Sequence, residues 1–204
     1  MGRTQTFDTT TAVRAARDVF WQHGFEGASL ADLESSTGLA RSSLYHAFGS
    51  KRGLFDAAVE DYLATVIRPR LAPLVGPETG TAALLGYFTS LHGAVAALPD
   101  DSPRRGCLLV NSTAGLAAQD PAARDVVDGY RAELTAALRS ALAAGHPDMA
   151  EGSLDSTARV LASLSIGAMV VARINQPESL ALLATAAEVV AGLPAAQPGD
   201  LPQQ

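Results

Sequence analysis

"SLADLESSTGLARSSLYHAFGSKRGLF", residues 29–55, decides the fold. Ser29 with Asp32 three positions later makes a capping box, with Asp in place of the commoner Glu, and opens a helix. Thr37-Gly38 closes it after two turns, because glycine readily takes the left-handed backbone of a helix end. A second short helix is expected over 41–48, and Gly49-Ser50 ends it. Two short helices joined by a glycine turn describe a helix-turn-helix, whose second helix can enter the major groove of DNA. Here that helix carries Arg41, Ser42, Ser43, Tyr45 and His46, small hydrogen-bonders and planar rings suited to base edges and backbone. Leu44 and Phe48, four apart, face the opposite way, toward a core. Lys51 opens the next helix, where its ammonium and the backbone amides can hold a phosphate. The same pattern also describes a surface helical hairpin in any small α-domain.

Outward from this stretch the pattern stays helical. Before it, "DTTTAVRAARDVFWQHG" has Asp8 as a cap, an apolar stripe through Ala12, Val13, Ala16, Val19 and Phe20, and Gly24 as a stop. After it, a long helix is expected from Lys51 to about Leu74, with Arg68-Pro69-Arg70 kinking or ending it. Further helices are expected over about 81–98, within "CLLVNSTAGLAAQ", and over about 122–144, 153–175 and 178–193. No alternating strand pattern is present, and "PAAQPGDLPQQ" has nothing to bury. The expected fold is all-α, with about nine helices.

Composition agrees. Apolar residues make up 48% of 204 and aromatics 5%, an Ala- and Leu-rich interior suited to packed helices. One cysteine, Cys107, excludes an internal disulfide framework and fits a reducing, cytoplasmic setting without a secretory signal. The apolar run around Leu161–Ile174 is short for a bilayer and is interrupted by Ser163, Ser165 and Arg173, so no membrane partner is expected. Net charge is −6, but residues 1–55 hold six basic side chains against five acidic, and the remainder nine against sixteen. The N-terminal quarter is thus the part least repelled by phosphate.

The segment "TGLARSSLYHAFGSKRGLF" resembles the DNA-binding signature of TetR-type transcriptional regulators, and "AARDVFWQHGFEGASLADLESSTG" is similar to the family's first two helices and their link. The resemblance covers about residues 8–55. It implies a three-helix DNA-binding domain over 1–55 and a larger helical ligand-binding and dimerisation domain over 56–195; the tail at 196–204, with nothing to bury, is expected to be disordered. It also implies a homodimer on a palindromic double-stranded operator, most simply a repressor, released by a small-molecule effector. Carried over by position, Ser29 caps the second helix and touches phosphate. Arg41, Ser42, Ser43, Tyr45 and His46 read bases or backbone, and Lys51 clamps a phosphate. Arg3 adds an arm contact. Two positions depart from the pattern: Ala40 stands where Ser or Thr often caps the recognition helix, and Ala47 where an aromatic often meets phosphate.

Outside this region "PRRGCLLVNS" is similar to one branch of the family in which Arg-Gly-Cys-Leu opens the sixth helix, and it makes Cys107 a candidate redox or electrophile sensor. A helix N-terminus beside Arg104 and Arg105 favours the thiolate, whereas a packing role needs only a small buried side chain. Effector candidates are Tyr87, Phe88, Leu91 and His92 on one helix, with Tyr130 and Met169. The last two helices are apolar on more than one face, and a second copy can cover the surplus as a four-helix bundle. No metal cluster, cofactor loop or catalytic motif stands out, so an enzyme is not expected. A helical protein-interaction module explains the acidic remainder but gives no reason for Ser-Lys-Arg after a Tyr-His helix.

Overall fold

A computed structural model describes residues 8–99, 101–112 and 115–194. Every regular element among them is a helix. α1 (Thr9–Gly27) starts on Asp8, whose carboxylate accepts from the Thr10 amide at 3.0 Å and the Thr11 hydroxyl at 2.6 Å. These bonds satisfy amide and hydroxyl donors that the helix itself leaves open. The expected stop at Gly24 is a kink (φ 70°, ψ 178°), and one more turn follows it to Gly27.

α2 (Leu30–Thr37) carries the full capping box. Ser29 Oγ accepts from the Asp32 amide at 3.1 Å, and Asp32 Oδ2 accepts from the Ser29 amide at 3.1 Å. Gly38 sits in the left-handed region at φ 68°, where a side chain is strained, and turns the chain into α3 (Arg41–Phe48). α4 (Lys51–Tyr62) follows, capped by Ser50, whose hydroxyl accepts from the Gly53 amide at 3.0 Å. Gly53 is required by contact: a Cβ there would lie 2.1 Å from the Phe48 carbonyl oxygen. The last turn of α3 and the first of α4 therefore meet backbone to backbone.

The long helix does not end at Pro69. A π-helical turn at Leu63–Ile67 precedes it, with the Arg68 amide donating to the Leu63 carbonyl, and α5 (Arg68–Val75) carries the helix on. Proline has no amide to give and its ring crowds the carbonyl four residues back; a widened turn just before it relieves both. The remaining helices are α6 (Thr81–Ala96), α7 (Leu108–Asn111), α8 (Leu116–Gln119), α9 (Pro121–Gly145), α10 (Glu151–Val171) and α11 (Gln176–Ala191). Two expected helices are thus each divided: the fourth into α4 and α5 around the π turn, the sixth into α7 and α8.

The described residues form two compact units: those up to Pro69 with those between Leu98 and Val127, and Arg70–Ala97 with those from Asp128 on. In the first, α1 packs on α2, α4 and α7 over Ala16, Phe20, Leu33, Leu54 and Ala58. Phe20 meets Phe55 edge-on at 5.1 Å, and Trp21 meets Tyr62 at 4.9 Å. Each such ring removes a large apolar area from water, contributing about 2–3 kcal/mol. In the second, α11 packs on α6 and α10, with Leu84, Phe88, Leu161 and Leu183 fully enclosed. α10 is long and apolar enough by composition alone to cross a bilayer, yet Leu154, Ala158, Leu161 and Ala162 pack it into the unit as a core helix. The tail expected to be disordered, 196–204, and Arg3 lie outside the described residues.

Candidate nucleic-acid interface

The helix-turn-helix presents one face and buries the other. Leu44 is 4% exposed and Phe48 half-buried, anchoring α3 on α2 and α4. Arg41, Ser42, Tyr45 and His46 are exposed on the opposite side, and Ser43 is half-buried at its edge. The Arg41 guanidinium lies over the Tyr45 ring, 5.5 Å from its centre. Stacking pre-orders two flexible groups one turn apart and leaves the guanidinium edge free to approach an acceptor. Lys51 is similarly braced, its Nζ 4.7 Å from the centre of the Phe25 ring. Phe25 in turn packs edge-on against Phe55 at 5.2 Å, so the core of the unit supports the lysine.

Ser29 is exposed, and its hydroxyl is already engaged with Asp32, donating to Oδ2 at 2.6 Å. These bonds, with a smaller contribution from the His23 charge, hold the Asp32 carboxyl below its ordinary 3.8. Ser29 thus caps α2, with its hydroxyl and its amide both engaged by Asp32. One contributor has no local sequence signature: Glu34 of α2, whose carboxylate accepts from the Arg41 amide at 2.6 Å. Ala40, at the N-cap of α3, supplies no side-chain bond.

The family model "Bacterial regulatory proteins, tetR family" matches residues 12–58. The chain is 31% identical to the transcriptional repressor BdcR of Escherichia coli K12 over 164 residues, 80% of each protein. The chain belongs to the TetR family. It is also 37% identical to the transcriptional regulator YezE of Bacillus subtilis over 121 residues, 59% of this chain and 61% of YezE, so the match spans less than two thirds of that relative. Among solved structures, a cysteine mutant of the TetR family regulator CifR, complexed with 26-bp double-strand operator DNA, is 31% identical with a TM-score of 0.79. That likeness covers 95% of this chain and all of CifR. The reduced form of E. coli NemR is 25% identical with a TM-score of 0.77, over 93% of this chain and 98% of NemR. The TetR-family chain is therefore a DNA-binding transcriptional regulator, not an enzyme.

The other candidate residues of this TetR-family chain fall as follows. Tyr87, Phe88 and Leu91 are buried on α6, with His92 half-buried beside them. Tyr130 on α9 and Met169 on α10 are buried in the same unit. Of these, the structure joins Tyr87 and Phe88 edge-on at 5.0 Å, and it ties the Tyr87 hydroxyl to Ser165 Oγ at 2.8 Å. In the first unit a cavity of about 20 Å3, room for a water molecule, lies among Phe55, Val59, Leu109, Leu116 and Val127 beside Arg52. Cys107 is 2% exposed, and its sulfur lies 3.5 Å from the Tyr62 hydroxyl. The Arg104 guanidinium expected next to it is bonded to Asp18 instead.

An open groove runs along α10 and α11 between Val160, Ser163, Leu164, Gly167 and Leu182. Val160, Val170 and Ile174 are exposed in the same unit. On α11 two neighbouring leucines differ: Leu183 is enclosed within the chain, whereas Leu182 lines the groove.

Proposed function

We propose that the chain is an effector-responsive repressor that acts in the cytoplasm and grips a palindromic operator as a homodimer. The observation that carries this is the exposed face of α3, with Arg41 stacked on Tyr45 and Lys51 braced at the next helix start. Arg41, Ser42, Ser43, Tyr45 and His46 meet bases or backbone, while Ser29 and Lys51 meet phosphate. One such face makes too few contacts for tight binding, so two are needed, about one helical turn of DNA apart. The groove on α10 and α11 supports the pairing. Its apolar walls and the small Gly167 suit close approach of the same helices from a second copy. The relatives named as repressors support the direction of control.

The effector site is proposed at Tyr87, Phe88, Leu91, His92, Tyr130 and Met169, an apolar set with the Tyr87–Ser165 pair as its polar anchor. Because these residues and α3 belong to different units, release acts through a two-state change and not through competition. The test is selection of duplex DNA from a random pool with the full chain. An inverted repeat recovered and bound by dimers supports the proposal; failure to recover any palindrome refutes it.

A second reading makes Cys107 the effector-responsive group. The observation favouring it is the contact of its sulfur with the Tyr62 hydroxyl, which links the start of α7 to the end of α4. An alkylating electrophile adds a carbon substituent to that sulfur, which cannot stay in so tight a place without moving α4. Operator release by N-ethylmaleimide in the wild type and its loss in Cys107→Ser support this reading; equal release in both removes it.

A further inference from the structure

The recognition helix begins on a residue that cannot cap it. Ala40 has no side-chain acceptor, and α3 has no side-chain bond from its own N-cap. The first helical amide, that of Arg41, donates to Oε1 of Glu34 at 2.6 Å, seven residues upstream. The backbone carbonyl of Glu34 accepts from the Gly38 amide at 3.0 Å and closes α2. Glu34 therefore ends one helix with its carbonyl and starts the next with its carboxylate, reaching across the glycine turn.

The position matters because of what lies beside it. α3 spans eight residues, too few to sustain a helix without help from its surroundings. Its first turn holds Arg41, Ser42 and Ser43, three of the proposed DNA contacts. An ionised acceptor on an N-terminal amide gives a charge-assisted bond and also meets the positive end of the helix dipole. Without it the first turn frays, and DNA binding then includes the cost of ordering it.

We infer that Glu34 is a positioning residue for DNA reading: its carboxylate caps α3 across the turn and orders Arg41, Ser42 and Ser43 before DNA is met. The inference rests on the proposed DNA contacts of α3. Glu34 acts through the Arg41 amide and not through a base.

Four chains test this: wild type, Glu34→Ala, Glu34→Gln, and Glu34→Ala combined with Ala40→Ser. Each is measured for binding to the duplex selected by the wild type, for base preference in a repeat selection, and for Arg41 amide hydrogen exchange without DNA. Glu34→Ala should weaken binding about fivefold per reading head and speed Arg41 exchange by a similar factor, the usual effect of losing one cap. Glu34→Gln, whose amide oxygen still accepts but carries no charge, should fall between wild type and Glu34→Ala on both counts. Ala40→Ser puts a good capping residue back and should restore exchange and affinity in the Glu34→Ala background. Base preference should be the same in all four. The inference is overturned if Glu34→Ala binds and exchanges like wild type, or if Ala40→Ser restores neither property. It is also overturned if Glu34→Ala relaxes preference at one base pair while Arg41 exchange is unchanged, which would make Glu34 a base contact. Should the wild type select no duplex, the DNA contacts of α3 fail as proposed, and the exchange measurement alone still decides whether Glu34 is the cap.

Discussion

Arg104 holds Asp18 with two parallel bonds, Nη2 to Oδ2 at 2.7 Å and Nε to Oδ1 at 3.2 Å. The pair is 86 residues apart in sequence and ties the loop before α7 to the exposed side of α1. It has a counterpart in Arg52, which bonds both Asp56 and Asp120 and ties α4 to the start of α9. Both pairs lie in the first unit, where the segment around α7 and α8 is joined to α1 and α4 by charge as well as by the packing of α7 on α1. Arg104 is about half exposed, which limits the strength of its pair. Arg104→Ala should therefore cost no more than about 1 kcal/mol, and Asp18→Asn about the same. In a double-mutant cycle by thermal unfolding, the coupling should shrink as salt is raised; coupling insensitive to salt would contradict this account.

Lys51→Ala should weaken binding to all duplexes about equally and reduce the salt slope by about one per reading head. Phe25→Leu, which removes the ring under the ammonium but keeps an apolar side chain, should give a smaller loss of the same kind. Titration of affinity against salt for the three chains checks this. A change of base preference in Lys51→Ala would contradict the phosphate role.

Leu182→Glu and Leu183→Glu should fail differently although the two residues are neighbours. Leu182 lines the open groove, so its charge should yield folded monomers with weakened operator binding. Leu183 is enclosed, so its charge should unfold the chain, at a cost above about 4 kcal/mol. Light scattering with circular dichroism separates the outcomes. A folded Leu182→Glu dimer would move the interface elsewhere.

Most helix boundaries in the first 50 residues were legible because they rest on local rules; the exception is Gly24, where the expected stop is a kink and α1 runs on to Gly27. Asp8, the Ser29–Asp32 box and Gly38 act on amides within three or four residues of themselves. The Glu34 bond escaped because a cap seven residues upstream depends on how two helices are set around a turn. The π turn escaped for a related reason: a proline signals a break but not whether the helix stops, bends or widens. Of the DNA-facing set, residue types on α3 could be read, whereas the bracing of Lys51 by Phe25 needed the folded path of the chain. On α11, periodicity showed apolar residues on more than one face and no means of telling which of them, Leu182 or Leu183, the chain itself covers.

Acid should open the α2 cap only late. Hydrogen bonds from the Ser29 hydroxyl and amide, with help from His23, keep Asp32 ionised below its ordinary 3.8. A carboxylate more acidic in the folded chain than in the unfolded one adds stability that is complete above the unfolded value and is lost as pH falls through the folded one. The Ser29 amide resonance should therefore titrate with a midpoint below 3.8, and a midpoint at or above 3.8 would contradict the box.

The central claim is that two copies of α3 read an inverted repeat, and footprinting on the selected duplex tests it most directly. The account predicts two protected patches in adjacent major grooves on one face of the DNA, about 34–36 Å apart or a simple multiple of that. It also predicts that Tyr45→Ala weakens both patches together while Leu182→Glu abolishes the paired pattern. A single protected patch from a dimeric chain, or protection unchanged by Tyr45→Ala, would contradict it.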